Sequence, residues 1–168
     1  MDKIKLPKAA ANEKNSAQTG KEAKLVQLLL KNGLVLQREM NQVCLRFGLK
    51  QQQFSVLDAI MSRGPVPQKA VRDALFYEKS NISKIVKILL EKGLIQVTTA
   101  PEDRRLTLLI ETEKGAVLWK QCAAAFAEAS ADLVASLSRE EVAGLVESQK
   151  VLEKTIGKRL ARQEASAS

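Results

Sequence analysis

The chain contains no histidine among its 168 residues. That absence removes the commonest general base and the commonest metal ligand together. No Ser–His or Cys–His nucleophile pair can form within the chain. Only two cysteines occur, Cys44 and Cys122, far apart and in no metal-ligand spacing. A disulfide framework is thereby excluded, and a reducing compartment fits. Aromatic residues make up only 4%, with one Trp and one Tyr. There is no Gly-rich phosphate loop. The longest apolar stretch, 25–36, is interrupted by Gln27, Lys31 and Asn32, so no membrane span is expected. The N-terminus lacks an apolar signal core. These absences predict a cytoplasmic protein with no catalytic residues, no metal, no cofactor and no membrane partner.

What is present is helix-forming and basic. Leu, Ala, Val, Lys and Glu dominate. Net charge is +8 with a pI near 9.6. Residues 63–105 hold nine basic and five acidic side chains, whereas residues 113–168 hold eight of each. The excess therefore lies outside the C-terminal segment, a distribution that suits a polyanion such as DNA as well as simple solubility.

Residues 1–20 are polar, basic and aperiodic, and read as a flexible tail. A first helix is expected from about Glu22 to Phe47, with Gly48 as its left-handed cap. A second covers 51–62, where Phe54, Leu57, Ile60 and Met61 form one face, and Arg63-Gly64-Pro65 stops it. A short third helix fits 67–76, with Ala70, Val71, Ala74 and Leu75 inward and Pro67 in its first turn. A fourth fits 80–92, capped by Ser80 or Asn81, with an apolar stripe of Ile82, Ile85, Val86, Leu89 and Leu90. Gly93 closes it. Two strands, 94–99 and 106–112, flank the charged turn Ala100–Arg105 and form a β-hairpin. A long helix follows from about 113 to 135. Ser138-x-x-Glu141 is a capping box that opens a last helix to about 162.

Three helices and a two-stranded hairpin, in that order, are the parts of a winged helix-turn-helix. The fold class expected is mainly α with one small β-hairpin. A helix fits the major groove of DNA and can offer side chains to base edges. The helix at 80–92 offers Ser80, Asn81 and Ser83 at its start. Lys79, Lys84 and Lys87 can neutralise phosphates. Arg104 and Arg105 at the hairpin tip can reach the minor groove, where negative potential is strongest.

Ser80 to Ile95, Ser-Asn-Ile-Ser-Lys-Ile-Val-Lys-Ile-Leu-Leu-Glu-Lys-Gly-Leu-Ile, resembles the recognition helix of MarR-type regulators. Pro101 to Leu108, Pro-Glu-Asp-Arg-Arg-Leu-Thr-Leu, resembles their wing, and Thr112-Glu-Lys-Gly resembles the opening of their next helix. The resemblance covers roughly residues 22–162. It implies a homodimeric transcription regulator whose terminal helices interlock and whose two lobes read half-sites of a pseudo-palindromic promoter site. It also implies that Asp103 braces the wing, Arg105 enters the minor groove and Arg104 meets a phosphate. The domain reading is then a basic tail at 1–20 and an N-terminal dimerisation helix at 21–48. The DNA-binding domain follows at 49–112, C-terminal dimerisation helices at 113–162, and a disordered tail at 163–168. The strand Gln96-Val97-Thr98-Thr99 departs from the pattern in lacking a basic residue, and 65–78 matches it only loosely.

The resemblance further allows a small aromatic effector and a cysteine-based redox response. Trp119, Phe126 and Phe47 could line an effector pocket or serve as core. Buried, inert thiols are the expected state of Cys44 and Cys122. The alternatives to a sequence-specific regulator are a non-specific nucleic-acid-binding protein and a winged helix used for protein–protein contact.

Overall fold

The computed structural model describes residues 9–103 and 105–166. Six helices and one hairpin follow in chain order. They are α1 (Ala9–Leu45), α2 (Gln51–Arg63), α3 (Gln68–Leu75), α4 (Lys79–Glu91), β1 (Ile95–Thr99), β2 (Thr107–Glu111), α5 (Glu113–Leu133) and α6 (Arg139–Ser166). The mainly helical winged helix-turn-helix expected from the sequence is the fold observed. The chain divides into two units, the residues up to Glu39 and Met40–Ser168.

Element ends differ from the sequence reading in instructive places. Helix α1 begins at Ala9, so 9–20 is helical where polar, aperiodic composition pointed to a tail. Its Ala, Lys, Glu and Gln content carries high helix propensity without any apolar period. Residues 1–8 of that tail reading lie outside the described residues, as do 167–168 of the C-terminal one. Helix α6 likewise runs on to Ser166. Pro67 is the cap of α3 rather than part of its first turn. Helix α4 is capped by Glu78, so Ser80 and Asn81 fall within its first turn instead of preceding it.

The core belongs to the second unit. Phe54, Val56, Leu57 and Ile60 of α2 pack with Val71 of α3, Ile82, Ile85, Val86 and Leu89 of α4, and Ile95 and Leu109 of the hairpin. Leu90 is exposed, outside the buried stripe expected to include it, and Ile88 is half-buried. Phe54 stacks on Phe126 of α5 with ring centroids 5.3 Å apart. Trp119 donates its indole N–H to Asp58 at 2.9 Å. Both aromatics of α5, together with Phe47, pack against this core. Buried Gln53 accepts the Lys50 amide at 2.9 Å, which ties down the start of α2.

The hairpin pairs antiparallel from Ile95↔Glu111 to Thr99↔Thr107. Val66 adds a third, single-residue rung, exchanging both backbone hydrogen bonds with Leu109 at 3.0 and 2.9 Å. The loosely patterned entry at 65–67 is thus anchored to the wing sheet. Helix α3 ends on Phe76, whose φ of 52° is left-handed, an uncommon conformation for a bulky residue. A Cβ placed on Gly157 of α6 would sit 3.2 Å from the Phe76 ring, so the ring lies against that helix.

The junction between α4 and α5 is close-packed. Gly93 turns the chain with φ 65°. Thr112 then donates its hydroxyl to the Gly93 carbonyl at 2.7 Å and its amide to the Leu94 carbonyl at 3.1 Å. The same hydroxyl accepts the Gly115 amide at 3.0 Å, capping α5. Lys114 reaches back to the Lys92 carbonyl at 2.8 Å. A Cβ on Gly115 would lie 1.9 Å from the Leu94 oxygen, a separation real atoms do not occupy.

The two cysteines, distant in sequence, meet in the core. Both are fully buried, and they lie close enough to influence each other. Burial raises the Cys44 thiol. Burial, and then the neighbouring Cys44, pushes the Cys122 thiol up to about 12. Both groups are therefore neutral thiols at physiological pH, which suppresses nucleophilic reactivity.

Gly115→Ala is expected to lower the unfolding free energy by about 1–3 kcal/mol, because the backbone of Leu94 must move. Gly144→Ala, where the new Cβ meets nothing within 4 Å in the second turn of α6, is expected to raise it by about 0.5–1 kcal/mol. Denaturant titrations of the two variants check the contrast. The folded chain also holds the Cys122 proton after the unfolded chain has released it. Stability should therefore fall as pH climbs from about 9 towards 12, and the slope should flatten in Cys122→Ala. Native protein should react with a thiol-specific disulfide reagent far more slowly than protein unfolded in guanidinium.

Candidate nucleic-acid interface

Helix α4 owes its two faces to its apolar spacing. Ile82, Ile85, Val86 and Leu89 are drawn into the core, and the remaining positions must face outward. Ser80, Ser83, Lys84 and Lys87 are exposed and follow the i, i+3, i+4, i+7 spacing of a single face. Lys79 is exposed as the first residue of the helix, and Asn81 is half-buried beside this face. Such a face combines short polar groups with cations along one helix.

Two of these side chains have internal partners. Lys87 lies 3.9 Å from Glu91, an exposed ion pair one turn away that contributes little to stability and leaves the lysine 78% accessible. Ser83 donates its hydroxyl to the Lys79 carbonyl at 2.9 Å and accepts from the Gln68 side-chain amide at 3.0 Å. Its single proton is therefore committed, and it can offer an incoming group only an acceptor.

Sequence reasoning did not find the neighbouring α3 side chains. Gln68, Lys69 and Arg72 of α3, with Lys79 and Ile82 of α4, line a cleft of about 360 Å³. Arg72 is bound to Asp73 through Nε and Nη2, whereas Lys69 projects into solvent. The signal available was the i, i+4 relation of Gln68 to Arg72, which puts both on one helix face. Without the α3–α4 geometry, however, nothing linked them to the recognition helix.

The wing is built by local bonding. The Ala100 amide donates to the Leu106 carbonyl at 3.0 Å, and the Leu106 amide to the Asp103 carbonyl at 2.9 Å. Asp103 Oδ1 accepts the Arg105 amide at 2.9 Å, an Asx-type turn that fixes the loop. Arg105 is exposed at the tip. Arg104 lies outside the described residues. Strand β1 contributes no cation, and Gln96, Val97, Thr98 and Thr99 are all exposed.

Among the described residues no cluster of three or more potential metal ligands exists, and no helix is long and apolar enough to cross a membrane. The acidic residues Glu102 and Asp103 stand exposed at the wing.

Comparison with known proteins gives a consistent placement. Residues 47–106 match the family model described as the MarR family. The chain is 29% identical over 124 residues to the HTH-type transcriptional regulator MhqR of Bacillus subtilis (strain 168), covering 74% of this chain and 86% of that one. Its fold is similar to that of CouR from Rhodococcus jostii RHA1 bound to p-coumaroyl-CoA, with a TM-score of 0.70 and 25% identity, over 74% of this chain and 88% of that one. It is also similar in fold to a MarR mutant from E. coli complexed with operator DNA, with a TM-score of 0.71 and 22% identity, over 79% of this chain and 95% of that one. The winged helix with its polar, basic outward face is therefore similar to the MarR family through residues 47–106, and to relatives named as transcriptional regulators over about three quarters of the chain.

Proposed function

We propose that the chain works as a homodimer in the cytoplasm, reads a pseudo-palindromic promoter site in double-stranded DNA and responds to a small effector. The observation that carries the DNA-reading half is the outward face of α4. Ser80 and Asn81 stand at the leading end where base edges are reached, and Lys79, Lys84 and Lys87 are placed for phosphates. Ser83 contributes an acceptor there. Arg105, held at the wing tip by the Asp103 turn, is assigned to the minor groove, and Arg104 to the adjacent phosphate.

The homodimer rests on uncovered apolar surface. In α1, Leu30 is 66% and Leu34 71% exposed, and Leu25, Val26 and Leu28 are exposed with them. In α6, Leu145, Val146, Val151, Ile156 and Leu160 are exposed. Apolar surface on this scale marks an association site. A second copy is the occupant that the pairing of half-sites in a two-fold symmetric site calls for.

An aromatic acid or its thioester is the proposed class of effector, by analogy with the relative bound to p-coumaroyl-CoA. Trp119, Phe126 and Phe47 are committed to core packing. A cleft of about 450 Å³ lined by Glu113, Lys114, Val117, Leu118 and Gln121 of α5 is the better place for it, with a size in the range of small-molecule sites.

Selection of bound fragments from genomic DNA by the purified protein, followed by sequencing, tests the central reading. A two-fold symmetric motif is expected, and its absence would favour a non-specific or protein-binding winged helix. On the selected duplex, Arg105→Ala should weaken binding roughly ten-fold at fixed salt. Lys84→Ala should weaken all duplexes evenly and reduce the salt slope by about one. Unchanged affinity in Arg105→Ala would remove the wing from the interface. Light scattering should give twice the 18.5 kDa chain mass, and Leu34→Glu in α1 should return it towards the monomer.

A further inference from the structure

The side chain of Gln68 bridges two elements. It belongs to α3, yet its amide donates to Ser83 on the exposed face of α4 at 3.0 Å. The Ser83 hydroxyl in turn gives its only proton to the Lys79 carbonyl at 2.9 Å. Direction runs one way along this chain, from Gln68 Nε2 through Ser83 Oγ to the α4 backbone. The serine is spent as a donor. Gln68 is not, since a side-chain amide carries two N–H donors and a carbonyl acceptor, and only one donor is used here.

The rigid placement matters as much as the spare valences. A free glutamine samples many rotamers, and ordering it on binding costs free energy. Here the amide is already held beside the face that carries Ser80, Lys84 and Lys87. The cleft beside it is lined by Lys69, Arg72 and Lys79, so the surroundings attract a polyanion. A side-chain amide with one free donor and one free acceptor matches one base in the major groove bidentately, namely adenine through N6 and N7.

We infer that Gln68, from the helix before the recognition helix, is a specificity-determining residue that reads an A·T base pair, with Ser83 as the positioning residue that holds it. The inference rests on the DNA-reading role proposed above. It shifts one base contact from α4 to α3 and converts Ser83 from reader to support.

Selection from a library of randomised duplexes, run with wild type, Gln68→Ala, Gln68→Glu and Ser83→Ala, tests it. Wild type should enrich a motif with an A·T preference at a position repeated in each half-site. Gln68→Ala should flatten that position alone and lose roughly ten-fold on the wild-type duplex. On a duplex already altered at that position it should lose little. Gln68→Glu, which can only accept, should move the preference there towards cytosine, whose N4 donates. Ser83→Ala should blur the same position, since Gln68 is then unheld. Thermal midpoints close to wild type would show that the losses are not failures of folding. An unchanged motif in Gln68→Ala, or a loss spread evenly over all positions, would overturn the assignment while leaving the regulator reading intact. A wild-type selection that enriches no motif at all would overturn the regulator reading itself, and this assignment with it.

Discussion

The exit of α4 is fixed by one close contact between backbones, the seat of α5 against it. Leu94 and Gly115 approach so closely that no side chain fits between them. One threonine completes the joint, with the Thr112 hydroxyl donating to Gly93 and accepting from Gly115. Buried or half-buried backbone groups need partners, and here two helix ends supply each other's. The C-terminal end of α4, the first residue of the wing and the N-terminal end of α5 are thereby one mechanical piece. If an effector of the proposed class bound along α5, this close-packed joint is the route by which it would act on α4 and the wing.

The same joint explains why so much of the DNA-binding lobe was legible in the sequence. The Thr112-x-x-Gly115 pattern, the glycine stop at Gly93 and the 3.6-residue stripe of α4 are each local rules with one structural solution. The hairpin was legible for the same reason, with strand-forming residues on either side of a turn that Pro101 and Asp103 define. What stayed hidden depends on partners remote in sequence. Val66 pairs with Leu109, Gln68 with Ser83, and Cys44 with Cys122. A single valine between two prolines carries no periodicity, and a lone cysteine does not say what it will face. Phe76 was unreadable for another reason. Its left-handed backbone is imposed by the turn and tolerated because its ring finds Gly157, against the ordinary preference of an aromatic residue. The early start of α1 at Ala9 was missed because propensity alone, without an apolar stripe, leaves no period to detect.

Charge and shape divide the work of the interface. The eight positive charges in excess act at long range, and their concentration outside the neutral C-terminal segment aims that field. Lysines on flexible stems suit this task, since a phosphate needs a cation and no fixed geometry. Affinity of this kind is sequence-blind and salt-sensitive. Discrimination needs the opposite, short polar groups at fixed positions, and those lie where α3 meets the first turns of α4. A residue can hold a fixed position on an exposed helix only if something else spends its rotamer freedom. The Gln68–Ser83–Lys79 chain does so without charge, in a region where a carboxylate would repel DNA. The lack of a basic residue in β1 is consistent with the same division. With Gln96, Val97, Thr98 and Thr99 neutral, the cations that the proposed reading assigns to the wing lie in its turn and not along its first strand. On the proposed reading, specificity would come from the helix pair, and the wing would supply register and grip.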